Sequence, residues 1–159
     1  SLLHLCAKLG ANFTIASPEG YELKPDVVAL GQQFAAESGA RLTLLRDPHE
    51  AVRGADVIYT DTWTSMGQEA ENEKRRQVFA DYQVNAQLLA EANPGAIVMH
   101  CLPAHRGEEI TDEVMDGPQS VVFPQAENRL HAQKSILVRL LDDKPKRMIV
   151  HKTTARRRA

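Results

Sequence analysis

Four short runs of β-branched, aromatic and large apolar residues recur along the chain, at Asn12–Ala16, Arg41–Leu45, Asp56–Thr60 and Ala96–His100, with helical patterns between them. This alternation decides the fold class. Strands separated by a helix's worth of chain cannot pair through tight hairpins, so they need crossovers, and the sheet is expected to be parallel with helices on both faces. A fifth short strand is expected at Ser120–Phe123, giving an α/β sheet of about five strands. The sequence contains no internal repeat.

The helices carry their own punctuation. Ser1–Leu9 is apolar at 2, 3, 5, 6 and 9 and stops at Gly10, a C-terminal glycine signal. Pro25 opens a helix over Asp26–Ser38, with Gly39 as its stop. Asp47-Pro48-His49-Glu50 reads as a capping box that starts a short helix ending at Gly54. Val84–Ala92 is expected to be helical, Asp112–Met115 to make one turn, and Ala126–Leu141 to form a long amphipathic helix with apolar positions 130, 136, 137, 140 and 141.

With 159 residues, 43% apolar and 25% charged, the chain is long enough for one domain that buries about two thirds of its unfolded surface. The net charge of −2 hides an asymmetry: residues 144–159 carry 7 of the 19 Lys/Arg residues and none of the 21 acidic ones. Residues 142–159 are therefore expected to be a solvated, disordered basic tail rather than a nucleic-acid site, since no basic helix or interleaved aromatic accompanies them. Cys6 and Cys101 imply no disulfide framework and no multi-cysteine zinc site. The chain opens on Ser1 rather than Met, and its apolar start is too short and too interrupted by His4 and Lys8 for a signal peptide or membrane span. A cytoplasmic fragment whose first helix has been cut into is the expectation.

Three polar clusters stand where an open α/β sheet does chemistry, beyond the carboxyl ends of strands. Thr60-Asp61-Thr62-Trp63-Thr64-Ser65-Met66-Gly67 follows the third strand, and Asp61 there can accept from a substrate ammonium. His100-Cys101-Leu102-Pro103-Ala104-His105-Arg106 follows the fourth. Adjacent residues of an extended segment point to opposite faces, so His100 and Cys101 are not expected to form a nucleophilic dyad. The spacing of His100, Cys101 and His105 matches no zinc pattern, and no metal is expected. The third cluster, Phe123-Pro124-Gln125-Ala126-Glu127-Asn128-Arg129, opens the last helix, where Arg129 can bind an oxygen of a phosphate or carbonyl. Neither GxGxxG nor GxxxxGK[ST] is present, so no nucleotide cofactor is expected.

Taken in order, Asp61-Thr62-Trp63-Thr64-Ser65-Met66-Gly67, His100-Cys101-Leu102-Pro103 and Glu127-Asn128-Arg129 resemble ornithine carbamoyltransferase over residues 1–141. That resemblance implies the second, Rossmann-like domain of a two-domain carbamoyltransferase, with a missing N-terminal domain that holds carbamoyl phosphate, and a trimer-based homo-oligomer. It implies that Asp61, Ser65 and Met66 hold L-ornithine, with the Ser-Met-Gly loop closing over it. Cys101 would sit beside the reacting δ-amine, Cys101, Leu102 and Arg129 would face carbamoyl phosphate, and His100 would be a further contact. The catalytic set so implied is Cys101, Arg129 and His100, with no cofactor, no nucleic acid and no membrane as partner.

The implied reaction is attack of the neutral δ-amine on the carbamoyl carbon and departure of phosphate, giving citrulline. An amine of this kind has an ordinary pKa near 10, so it needs a proton acceptor, for which Cys101 is the candidate. The developing oxyanion needs fixed donors, and Arg129 with His100 are the candidates. The family's Ser-Thr-Arg-Thr-Arg and His-Pro-x-Gln segments are not in this sequence, so the chain by itself is expected to be inactive. Two other readings stand beside this one: a sister enzyme carbamoylating putrescine or an acylated ornithine, and a non-enzymatic binding module, which salt-dependent DNA binding would favour. The apolar last helix is expected to leave an exposed patch.

Overall fold

The computed structural model describes residues 1–64 and 71–142. Two units are distinguished, residues 1–126 and 127–159. The first opens with helix α1 (Leu2–Leu9), strand β1 (Phe13–Ala16), helix α2 (Pro25–Ser38) and strand β2 (Leu42–Leu45). It continues with helix α3 (Pro48–Val52), strand β3 (Val57–Thr60), helix α4 (Asn72–Phe79), a 3-10 turn at Ala80–Tyr82, helix α5 (Ala86–Ala90), strand β4 (Ile97–His100) and helix α6 (Asp112–Met115). Helix α7 (Val122–Leu141) begins in the first unit and supplies the described part of the second.

The strands are parallel, as their separation demands, but form two two-stranded sheets, β1 with β2 and β3 with β4. The expected fifth strand does not form. Ser120 makes only an isolated parallel bridge to Val98, and the chain turns helical at Val122, so α7 starts earlier than the pattern around Ala126 suggested. The helix expected over Val84–Ala92 is likewise shorter. Asn85 caps α5 by accepting from the Leu88 N–H at 2.9 Å, while Val84 bridges to Ile110.

Local chemistry accounts for the ends of the other elements. Gly10 and Gly39 close α1 and α2 in the left-handed conformation at φ 76° and 83°, where a Cβ would be strained. Asp47 caps α3 through the His49 N–H at 2.8 Å. α1 packs on α2 across Gly31: a Cβ built there would lie 2.1 Å from Leu3 Cδ2. Helix α4, charged over Glu73–Arg76, is held from outside. Arg75 donates to the Trp63 carbonyl at 2.9 Å, and Phe79 stacks on buried Trp63 with ring centroids 6.0 Å apart.

The core gathers Val52, Ile58, Val84, Leu88, Val98, Ile110, Val114, Met115 and Val122 around β3 and β4. Each fully buried aliphatic side chain there contributes about 1.5–3 kcal/mol. The core thus lies around the two strands whose ends carry the polar loops. In the second unit Leu130, Ile136, Leu137, Leu140 and Leu141 are exposed, as the amphipathic pattern led us to expect. The basic tail from residue 143 onward lies outside the described residues.

Candidate active site

Parallel pairing brings the first two polar clusters together. β3 and β4 run in register with Thr60 opposite His100, so the next residue of each strand, Asp61 and Cys101, leaves the sheet edge side by side. The Cys101 Sγ–H donates to Asp61 Oδ1 at 2.9 Å. That same oxygen accepts the Thr62 N–H at 2.7 Å. Both described bonds fall on Oδ1.

Burial pushes the Cys101 thiol above its ordinary range, and the hydrogen bond and negative charge of Asp61 push it further. Tyr59 borders the same sulfur. Burial foremost, then the neighbouring sulfur, raises the Tyr59 phenol, while Gln125 pulls it the other way. In this contact the sulfur donates and the Asp61 carboxylate oxygen accepts. Sequence reasoning missed Tyr59, and from the third cluster it singled out Arg129 rather than Gln125. Strand alternation could have found Tyr59, which stands two residues before Asp61 and so shares its face.

His100 lies on the opposite face, as alternation requires, and is wholly buried. Its Nδ1 accepts the Leu102 N–H at 2.9 Å and its Nε2 donates to Glu109 Oε1 at 3.1 Å. The peptide N–H can only donate, so the ring proton sits on Nε2. Both imidazole nitrogens are engaged inside the protein. Within this chain the His100 ring supports the loop from beneath.

Leu102 stands at φ 55°, a left-handed conformation that is rare for a branched residue, and is followed by a cis bond to Pro103. Such a left-handed backbone costs about 1–3 kcal/mol and persists where its surroundings over-determine it. Here the surroundings are the His100 ring below and the core cluster against which Leu102 and Ala104 pack. Gln125, near the start of α7, accepts the His100 N–H at 3.0 Å and ties the third polar cluster to the second.

The remaining predicted residues are not brought into this group by what is described. Ser65 and Met66 lie outside the described residues. Arg129 is exposed on α7 in the second unit. The described residues on either side of Ser65 and Met66 are clasped together, with Thr64 donating to Asn72 Oδ1 at 3.2 Å. Ligand atoms of His105, Glu108 and Glu109 lie within 4.8 Å of one another. Arg76 already pairs with Glu108, and the His105 N–H with Glu109, so the negative charge a divalent ion needs is committed elsewhere.

This parallel α/β domain sets a carboxylate, a thiol and a left-handed peptide at two adjacent strand ends, the edge at which open parallel sheets carry their ligand sites. The model of the aspartate/ornithine carbamoyltransferase family, Asp/Orn binding domain, matches residues 1–140, and the chain belongs to that family. An ornithine carbamoyltransferase of Thermococcus kodakarensis is 61% identical over 137 residues, covering 86% of this chain and 44% of that relative. The solved ornithine carbamoyltransferase of Pyrococcus furiosus superposes with a TM-score of 0.83 at 58% identity, over 87% of this chain and 44% of that one. The anabolic enzyme of Campylobacter jejuni gives 0.84 at 38% identity, over 88% of this chain and 46% of its own. The chain thus spans just under half the length of these relatives.

Proposed function

We propose that this chain is the ornithine-binding part of an enzyme that transfers a carbamoyl group from carbamoyl phosphate to the δ-amine of L-ornithine, giving L-citrulline and phosphate. The observation that carries the reading is the Cys101–Asp61 contact at adjacent strand ends. An incoming ammonium finds a carboxylate acceptor in Asp61 and a sulfur lone pair in Cys101, both at the edge of a partly buried site. Loss of the ammonium proton toward this acceptor frees the nitrogen lone pair. The lone pair attacks the carbamoyl carbon, the carbonyl oxygen gathers charge, and its collapse breaks the carbon–oxygen bond to phosphate.

In this reading Leu102 offers its backbone to the carbamoyl group, because its left-handed conformation turns the peptide away from the strand direction. The roles of Ser65 and Met66 toward ornithine, and of Arg129 toward the carbamoyl oxygen, rest on the sequence resemblance. Carbamoyl phosphate would be held mainly by a further domain, and a trimer-based assembly and a cytoplasmic setting belong to the same proposal. No described helix is long and apolar enough to cross a membrane.

An acylated ornithine is the competing acceptor, since an acetylornithine transcarbamylase is also among the structural neighbours, with a TM-score of 0.77. Its 33% identity, against 58% for the Pyrococcus furiosus enzyme, favours free ornithine. The test joins this chain to the complementary part of the Pyrococcus furiosus enzyme and follows product from ornithine, acetylornithine and putrescine. Citrulline formation lost in Asp61→Asn and Cys101→Ala supports the proposal. Transfer only to another amine, or none from a folded protein, overturns it.

A further inference from the structure

Glu109 is wholly buried, carries a carboxylate, and has no part in the reaction as proposed. A buried ionisable group is costly, and its Oε2 makes no hydrogen bond among the described residues, the His105 ring Nδ1 lying 3.9 Å from it. The other oxygen explains its placement. Oε1 accepts the His105 N–H at 2.6 Å and the His100 Nε2–H at 3.1 Å, so one atom grips both ends of the loop that contains Cys101, Leu102 and Pro103. The backbone of Glu109 is itself anchored, its carbonyl accepting the Val84 N–H at 2.9 Å.

We propose that Glu109 is a positioning residue for the substrate loop: through His100 it holds the Leu102 peptide in its left-handed conformation and thereby sets the Cys101 sulfur against Asp61. The relay runs from Glu109 Oε1 to the His100 Nε2–H, then from His100 Nδ1 to the Leu102 N–H. Each link is directional. A carboxylate acceptor at Nε2 keeps the ring proton there, and only an unprotonated Nδ1 can accept from Leu102. Removing the acceptor frees the ring to flip or change tautomer, and the Leu102 peptide loses the partner that offsets its strain. Cys101, one residue earlier, then leaves Asp61. The inference deepens the ornithine reading by naming what aligns its sulfur, and it rests on that reading only for what the loop serves.

The test is the pH profile of Cys101 alkylation in the full chain, read by peptide mass spectrometry so that Cys6 is scored separately. In Glu109→Ala the sulfur loses both its burial and its Asp61 neighbour. The profile therefore moves to lower pH, and at a fixed pH below the midpoint alkylation quickens about tenfold for every pH unit by which the midpoint falls, following the thiolate fraction. Glu109→Gln keeps an oxygen at the Oε1 position for both hydrogen bonds and restores the parent profile. Leu3→Ala, which loosens the distant α1–α2 contact, lowers stability and leaves the profile in place. A folded Glu109→Ala with the parent profile, or an equal displacement in Leu3→Ala, overturns the proposal. Should Glu109→Ala not fold, the nitrogen–nitrogen coupling across the Leu102 N–H to His100 Nδ1 bond is measured by NMR in the unmodified chain; its presence supports the relay and its absence overturns it. These readouts need no substrate. A displaced profile with no citrulline from the joined enzyme would sink the ornithine reading and leave the relay standing.

Discussion

Thr60 and His100 are register partners in a parallel pair, and that single alignment places Asp61 and Cys101 side by side at the edge of the sheet. A slip of one residue would send Asp61 or Cys101 to the opposite face and dissolve the contact. The pairing of β3 with β4 is in this sense the first determinant of the site.

The sign of the electrostatic coupling follows from this contact. The negative charge of Asp61 opposes formation of the thiolate at Cys101, so Asp61→Asn should lower the pH at which Cys101 becomes alkylatable. Burial, the larger cause, remains, so the thiol stays above its ordinary range. A pH series of iodoacetamide labelling checks this, and an unchanged or raised midpoint would refute it.

Arg106 ties the exit of the loop to α6, donating to Asp112 Oδ1 at 2.7 Å and to both carboxylate oxygens of Asp116 at 2.6 and 2.8 Å. This guanidinium holds the Asp116 carboxyl below its ordinary value. A group with a depressed folded-state pKa contributes stability above its unfolded value, near 4, and loses it as the pH falls through the folded value. Arg106→Ala should therefore lower the melting temperature at pH 7, and the gap from the parent chain should narrow as pH falls below about 4. Parallel thermal melts at the two pH values decide it.

The α1–α2 contact predicts a coupled pair. Gly31→Ala gains about 1 kcal/mol of helix propensity but forces a methyl into Leu3 Cδ2, an overpacking that costs about 1–3 kcal/mol. The net effect should be a loss of about 1 kcal/mol in the parent background and a smaller loss once Leu3→Ala has removed the closest contact and left only Leu42 Cδ1 at 3.2 Å. Urea unfolding of the four chains gives the coupling; simple additivity would contradict the packing described.

Ile110 is wholly buried in the cluster beneath the loop. Ile110→Ala should cost about 2–5 kcal/mol of stability through lost burial and the cavity left behind. A much smaller loss by denaturant titration would mean that the core collapses to fill the space.

Leu137, Leu140 and Leu141 are exposed by 56%, 75% and 78%, too much apolar surface on one helix for a solitary soluble chain. Sedimentation velocity should show association that grows with concentration and weakens in Leu137→Glu. A monomer at every concentration would show that water tolerates this surface.

Much of this was legible in the residues themselves. The four strands, the Pro25 and Asp47 helix starts and the glycine stops follow from local chemistry that reads over a few residues, and all appear with ends within a residue or two of expectation. The fifth strand failed because pairing with Val98 ends at Val121: its N–H donates to the Val98 carbonyl, and its own carbonyl already accepts the Gln125 N–H as the chain enters α7 at Val122. Helix α4 was illegible for a different reason: Arg75 and Phe79 are held by the carbonyl and ring of Trp63, a contact that no periodicity encodes.

For the candidate site the division is similar. The sequence determined which groups stand beyond which strands, because strand ends and loop residues are adjacent in the chain: Asp61 after β3, and His100, Cys101 and Leu102 around the end of β4. Only tertiary structure decided what each group faces, since donor and acceptor roles depend on partners distant in sequence. Register turned Cys101 toward Asp61, forty residues away, and made it a donor. Burial beside Glu109 turned His100 inward and gave both its nitrogens to the loop.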